Sequence, residues 1–312
     1  MSGVKEDIWI LDISFLIWSN THGYKTKCDC GSKCDTCNFT GWNMLQNSRG
    51  DITGGLYGIF NQVVSRIKAG YKLIACFDPP RADLERTKML DTYKASRVEK
   101  PAYITWQMEK IKELLPHLPT VDCYTSDVAE SDDTMATLAI KYALAGHKVV
   151  IESRDKDMFP CLEFENISIY RENNFRTYST FYNEYGFPPG RFNEYLAIAG
   201  DAADNFNVFQ GLGDKAAKDL IFMTSHISEI WKKWDELPKK YQKKLALYNE
   251  DGSFVAHRKD DLKLSLKLAT LNYEANCIPI NKDGGKGYVK NSLEHLEFNS
   301  ILPLLDLLYG EV

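Results

Sequence analysis

The sequence predicts an α/β fold with a mostly parallel central sheet and helices on both faces, and three observations point there. Short β-branched and aromatic runs, IWILD (8–12), KLIACFD (72–78) and KVVIESRDKD (148–157), close on polar residues and read as buried strands. Helix-length amphipathic stretches alternate with them, the pattern of a parallel sheet with crossover helices. Acids recur where apolar runs stop: Asp12, Asp78, Glu130 with Asp132 and Asp133, Asp155 with Asp157, and Asp201 with Asp204. Ligands of open α/β sheets collect at the carboxyl ends of the strands, so acids that follow three separate strands should converge on one edge.

Taken in order, the first strand leads into a helix-like stretch, a cysteine-rich loop, and a helix from about Gly54 to Lys68 that feeds the strand ending at Asp78. Pro79-Pro80 then breaks the chain, and RADLERTKMLDTYKASRVEK is basic and amphipathic with aromatic punctuation, which predicts a helical excursion over the acidic edge. Residues 102–115 read as a helix, VDCY (121–124) as a strand and 130–145 as a helix before the strand that precedes Asp155. From about Pro188 the pattern turns helical and lysine-rich, and LEFNSILPLLDLLYGEV (296–312) is apolar enough to return to the core. The expected division is an α/β core over 1–187, with a cysteine insertion at 22–48 and the basic excursion at 79–101, a helical module over 188–275, and a C-terminal segment over 276–312 packed on the core. No repeat or low-complexity tract interrupts this plan.

A chain of 312 residues can bury a large core and hold a smaller module beside it. No segment approaches 18 uninterrupted apolar residues, and the N-terminal apolar run is preceded by acids and carries Asp12, so neither a membrane span nor an export signal is expected. A formal charge of −5 at first argues against a nucleic-acid partner. Nine of the 43 acids belong to the clusters above, however, and basic residues are bunched at Trp231-Lys-Lys-Trp, Lys239-Lys240, Lys243-Lys244 and His257-Arg-Lys, so local fields outweigh the sum. A solvated helix face is the ordinary reading of any one bunch.

Two carboxylates about 4 Å apart repel by roughly 4 kcal/mol at an effective dielectric near 20. A cluster of nine therefore needs cations or retained protons, and a two-metal site is the economical solution. Single acids have ordinary readings: Glu130 stands three residues after Asp127 in the spacing of a capping box, and Asp132 and Asp133 suit a first helical turn. Capping does not explain Asp12 and Asp78 at strand ends. Cys28, Cys30, Cys34 and Cys37 in CDCGSKCDTC have the density of a Cys₄ structural zinc site; an iron–sulfur cluster, local disulfides, or a site that substitutes His22 are the alternatives. Cys76, Cys123, Cys161 and Cys277 read as buried reduced thiols of a cytosolic protein. In GDAADNFNVFQGLGDKAAKDLI (200–221), Gly211-Leu-Gly213 with Lys215 and an alanine-rich helix has the pattern of a helix–hairpin–helix turn, whose glycines let the backbone approach phosphate oxygens.

Taken together, FDPP at Asp78, TYKASR (92–97), ESDD (130–133), RDKD (154–157), GDAADN (200–205), GLGDKAA (211–217) and LEFNSILPLL (296–305) resemble the 5′-nuclease (flap endonuclease) family, of the bacterial and phage type related to the 5′-nuclease domain of DNA polymerase I. The matching segments follow the family's order over nearly the whole chain. The resemblance implies a PIN-like nuclease core with a helical arch, and two Mg²⁺ or Mn²⁺ ions. Asp12, Asp78, Glu130, Asp132 and Asp155 look like the tighter metal cluster, and Asp133, Asp157, Asp201 and Asp204 like the second. It further implies that Lys94, assisted by Arg86, neutralises the scissile phosphate, that Tyr93 stacks on a base of the unpaired end, and that Arg97, Arg49, Gly211, Gly213 and Lys215 contact DNA. The implied activity is 5′→3′ exonuclease and 5′-flap cleavage of DNA with flaps, nicks or free 5′ ends, with RNA primer–DNA hybrids as a further candidate substrate, by a cytoplasmic monomer without a membrane partner. The rivals are a PIN-type ribonuclease and a non-catalytic branched-DNA-binding protein. This chain departs from the pattern in three places. FLIWSN (15–20) lacks an arginine common in the first helix, which would pass phosphate steering to Lys25 or Lys27. The hairpin begins NFNVFQ, without the proline and first glycine that accompany K⁺ binding by its carbonyls, and the cysteine loop is an insertion most relatives lack.

Overall fold

The computed structural model describes residues 7–30, 41–80, 83–90, 93–94, 99–202, 204–206, 209–280, 282 and 285–311. Chain order begins β1 (Ile8–Asp12), α1 (Ile13–Gly23), β2 (Lys25–Lys27), β3 (Trp42–Met44), α2 (Gly54–Lys68), β4 (Lys72–Cys76), α3 (Glu85–Met89), α4 (Ala102–Leu114), β5 (Val121–Thr125), α5 (Ser131–Leu144), β6 (Val149–Glu152), β7 (Ile167–Arg171) and β8 (Asn174–Arg176). It continues with α6 (Tyr178–Tyr185), α7 (Phe192–Ala199), α8 (Asp214–Met223), α9 (Lys239–Leu245), β9 (Ala246–Tyr248), β10 (Phe254–His257), α10 (Lys259–Ala269), β11 (Ile278–Pro279), α11 (Lys286–His295) and α12 (Leu305–Leu308).

Among the described residues the main sheet has seven strands in the order β11-β5-β4-β1-β6-β7-β8. The inner five run parallel, and β11 and β8 close the edges antiparallel. Because side chains alternate along a strand, Ile8 and Ile10 enter one core with residues of α5, α7, α8 and α10, while Trp9 and Leu11 enter the other with α1, α2, α4 and the C-terminal Val289, Leu293, Ile301 and Leu308. Burial on both faces is why β1 reads as an unbroken apolar run. The chain steps outward from β1 to β4 and β5, then crosses back to lay β6 and β7 on β1's other side. The strand order thus reverses between β1 and β6, which opens a crevice at their carboxyl ends.

Close packing of α1 on α2 sets the angle at which the chain leaves β1. A Cβ on Gly58 would stand 2.3 Å from Asn20 Cγ, and one on Gly55 2.6 Å from Thr21 Oγ1, so only glycine fits this crossing. Several elements have no counterpart in the sequence reading: the edge strands β8 and β11, strand β7, and the β9–β10 hairpin within the lysine-rich region. In the basic excursion, the described residues are helical over Glu85–Met89 and turn at Tyr93 and Lys94; Arg97 lies outside the described residues. The cysteine insertion rises from an antiparallel stem pairing Lys25 with Met44 and Lys27 with Trp42, and Cys34 and Cys37 also lie outside the described residues.

Candidate active site

Strands β1, β4, β5 and β6 each lead into a carboxylate at the crevice, while β7 ends there on Arg171. Asp12 is the last residue of β1 and, contrary to the expectation that capping plays no part there, also the cap of α1: Oδ1 accepts from the Phe15 amide at 3.0 Å, and Oδ2 from Ser153 Oγ at 2.7 Å, across the switch point. Burial pushes its carboxyl up to about 7 against those two bonds, with Asp78 and Asp155 adding repulsion. Asp78, two residues past β4, accepts from Ser14 Oγ at 2.7 Å and from the Ser131 amide at 2.9 Å. Burial alone would raise it, yet these donors together hold it below the usual carboxylate value. Asp132 in the first turn of α5 and Asp155 beyond β6 are raised, first by burial and then by neighbouring acids. Shifts in this direction favour the protonated acids, and cations stand beside them.

The cations come from the basic excursion and from the segment that follows β6. Lys94, 6% exposed, adopts φ +54 and donates its amide to the Asp204 carbonyl at 2.8 Å; its ammonium bonds Glu130 Oε1 and lies 3.5 Å from Asp204 Oδ2. Tyr93 donates its hydroxyl to Glu130 Oε2 at 3.0 Å and to Asp204 Oδ2 at 2.9 Å. Lys156 stands 3.3 Å from Asp201 Oδ2. Asp201 and Asp204 occupy the loop between α7 and α8, where Asp201 and Phe206 exchange backbone hydrogen bonds of 2.8 and 3.0 Å.

Asp12, Asp78, Glu130, Asp132, Asp155, Asp201 and Asp204 line one cavity of about 970 Å³, larger than two other clefts of about 720 and 530 Å³ among the described residues. Two expected ligands stand apart from it. Asp133 accepts Arg86 Nη2 at 2.6 Å and the Asn272 amide at 2.8 Å on Oδ1, and Arg86 Nη1 at 3.0 Å and the Glu130 amide at 3.1 Å on Oδ2. Those bonds fill its acceptor positions and make Asp133 the anchor of Arg86. Asp157 has Oδ1 out of solvent with no hydrogen-bond partner among the described residues. Burial, then repulsion from Asp155, Asp204 and Asp201, raises its carboxyl well above the usual range. Such an orphaned anionic oxygen beside three acids fits a hard divalent cation. No three His, Cys, Asp or Glu side chains among the described residues close into a preformed cage.

Two further side chains lie away from the cavity wall. Tyr93 does not offer a stacking face: its ring is 3% exposed, and its hydroxyl tethers two carboxylates. Arg86 lies behind Glu130, which it meets at 2.7 Å, and also donates to the Thr270 carbonyl at 3.0 Å; it lines a separate cleft toward α10 and is not on the acidic cavity wall. Its guanidinium fork, buried with two carboxylates, ties the excursion to α5 and α10. Arg154 and Arg171 on the cavity wall were not singled out from sequence. Arg154 lies 5.5 Å over the Phe15 ring, bringing a guanidinium to the helix that lacks its own arginine, and the signal was its place between strand and acids in RDKD. Lys25 and Lys27, on the insertion stem, are not on that wall.

Elsewhere, Gly211 turns at φ +83 before α8, Gly213 caps that helix, and Lys215 is exposed in its first turn. Arg49 donates to the His295 carbonyl at 2.8 Å, and the Ser48 amide to Glu297 at 2.9 Å, which binds this exposed turn to the end of α11. Cys28 and Cys30 bring their Sγ atoms to 3.0 Å at the top of the insertion stem.

Comparison with known proteins agrees with this geometry. Residues 37–186 match the family model of the 5′-3′ exonuclease N-terminal resolvase-like domain. The chain is 29% identical over 277 residues to a 5′-3′ exonuclease of Aquifex aeolicus, covering 86% of this chain and 90% of that one. It is 30% identical over 248 residues to a 5′-3′ exonuclease of Buchnera aphidicola, covering 75% and 86%, and 28% identical over 208 residues to the flap endonuclease Xni of Cronobacter sakazakii, covering 66% and 82%. Among solved structures, zinc-bound T5 5′-exonuclease superposes with TM-score 0.61 at 19% identity over 97% of this chain and 98% of that one. Flap endonuclease-1 of Methanococcus jannaschii superposes with TM-score 0.62 at 14% identity over 98% and 92%, so the PIN-like fold is shared.

Proposed function

Since the chain belongs to the 5′-3′ exonuclease family, we propose that it hydrolyses DNA phosphodiester bonds at or near a 5′ end, as a 5′→3′ exonuclease and 5′-flap endonuclease that leaves 5′-phosphate and 3′-hydroxyl. The observation that carries this reading is the cavity at the strand switch point, where carboxylates from six chain segments, Glu99 among them, share a wall with Lys94 and Arg154.

Asp12, Asp78, Glu130, Asp132 and Asp155 would hold one divalent cation, and Asp157, Asp201 and Asp204 a second, with Mg²⁺ or Mn²⁺ favoured by an all-oxygen donor set. Two such ions supply water activation and charge neutralisation at the attacking and leaving oxygens. Tyr93 positions Glu130 and Asp204 through its hydroxyl. Lys94 on the cavity wall would neutralise the scissile phosphate, with Arg154 and Arg171 steering the strand toward it. Amides around Gly211 and Gly213, with Lys215 and Arg49, would grip the duplex by its backbone without reading bases. Potassium on the hairpin carbonyls, tolerance for RNA primer–DNA hybrids, and action as a cytoplasmic monomer are lesser parts of the same proposal. Among the described residues no helix is long and apolar enough to cross a membrane.

The test is a labelled 5′-flap DNA and a single-stranded RNA, each with Mg²⁺ or EDTA, alongside Asp155→Asn. The flap should be cut only with metal, and the variant should lose at least about 100-fold in rate. Metal-independent cleavage, an unaffected variant, or an intact flap would overturn the reading. We further propose a structural zinc ion on Cys28, Cys30, Cys34 and Cys37, supported by the juxtaposed thiols of the first two; elemental analysis of the same preparation should find one zinc per chain, and none if the thiols serve otherwise.

A further inference from the structure

We propose that α9 continues the Gly211 turn as a track for the sugar-phosphate backbone of duplex DNA, with Lys240, Lys243 and Lys244 as its phosphate contacts. The inference rests on the DNA-cleaving reading above, and a different part of the molecule carries it. The helix KKYQKKL has four lysines and no acid; it buries Tyr241, Gln242 and Leu245 and exposes every lysine. Lys240, Lys243 and Lys244 fall at i, i+3 and i+4, hence on one face. Lys263 pairs with Asp260 on α10 and Lys290 with Glu294 on α11, whereas α9 has no acid of its own to offer its lysines. Among the described residues none of the three on α9 forms an ion pair, so their charge faces outward.

Position gives this charge its object. A Cβ on Gly211 would stand 3.1 Å from Lys244 Nζ, so the ammonium rests against the turn whose backbone is proposed to meet phosphate. Arg258 braces the junction: its guanidinium lies 4.9 Å over Phe209, just before the turn, and donates to the Lys244 carbonyl at 3.1 Å. At 1.5 Å per residue the seven residues of α9 span about 10 Å. Phosphates of one strand advance by about 3.4 Å along the duplex axis, so the helix is long enough to face about three of them.

The experiment measures binding of a closed dumbbell duplex, which has no 5′ end to cut, by fluorescence anisotropy between 50 and 200 mM salt. It compares wild type, the triple variant Lys240→Gln/Lys243→Gln/Lys244→Gln, and the control Lys141→Gln/Lys148→Gln, whose exposed lysines lie at the opposite, amino end of the strands. Three lost contacts should flatten the slope of log K against log salt by about 2.7, so that wild type loses about 40-fold more affinity over this range than the triple variant. The control should match wild type. A triple variant with the slope and affinity of wild type, or a control that weakens equally, overturns the track. Cleavage of a 5′ flap by wild type is measured in parallel: if it cuts the flap while the triple variant binds normally, the track fails and the nuclease reading stands; if wild type neither binds nor cuts, both fall.

Discussion

Asp133 accepts four hydrogen bonds from Arg86, Asn272 and Glu130, whereas Oδ1 of Asp157 is buried and accepts none. Removing charge at these two positions should therefore have opposite effects on the metal-free protein. Asp133→Asn removes one of the two carboxylates that neutralise the buried Arg86 guanidinium and leaves Glu130 as its remaining anionic partner, so the variant should lose up to about 3 kcal/mol. Asp157→Asn removes a charge that burial and three neighbouring acids disfavour, so at pH 8 it should stabilise the metal-free fold. Chemical denaturation of both variants without divalent cations checks the pair, and a stabilised Asp133→Asn or a destabilised Asp157→Asn would refute these assignments. Sequence marked both residues as acids of one edge, because residue type and spacing were all it offered. Which neighbour each carboxylate meets depended on α10 and the excursion packing together, contacts that lie up to 139 residues away in the chain.

At the scale of elements, legibility followed how local the physical signal was. Strands β1, β4, β5 and β6 are apolar runs closed by polar residues, and helices α2, α4 and α5 are amphipathic over three or four turns, so each was apparent from its own residues. The short pieces were not. β8 has three residues and β11 two, and they are strands because a neighbouring edge supplies hydrogen bonds, as β5 does for Ile278 and Pro279. Within the lysine-rich region, Ala246–Tyr248 pairs with Phe254–His257 around a turn at Gly252, whose φ of +82 suits glycine. The glycines of α2 carried a signal that was passed over. Three of them in GGLYG lower helix propensity, and the cost is justified only by a partner backbone brought close, here α1 at Asn20 and Thr21. Through that contact the element seats the helix that Asp12 caps.

For the molecule as a whole, the decisive fact is that negative charge is gathered at one end of the sheet while lysines are distributed on the helical region beyond it. Gathering acids costs stability, and the sign of that cost can be worked out. The Asp12 carboxyl stands near 7 in the fold against an ordinary value of 3.8, so between those values the folded chain holds a proton that the unfolded chain has released. Its contribution is fully present below 3.8 and is lost as pH rises through about 7, at about 1.4 kcal/mol for each pH unit of displacement. Burial and mutual repulsion shift Asp132, Asp155 and Asp157 the same way and deepen the loss. Metal-free protein should thus melt at progressively lower temperature from pH 5 to pH 8. Cations compete with protons for the same oxygens, so Mg²⁺ should raise the melting temperature more at pH 8 than at pH 5. Asp12→Asn, which cannot ionise, should flatten the metal-free profile, and that comparison separates the acidic edge from the rest of the chain's titration. A wild-type melting temperature that stays level or climbs from pH 5 to pH 8 without metal would mean that Lys94 and Arg86 already neutralise the cluster, and that cations bind it without relieving any strain.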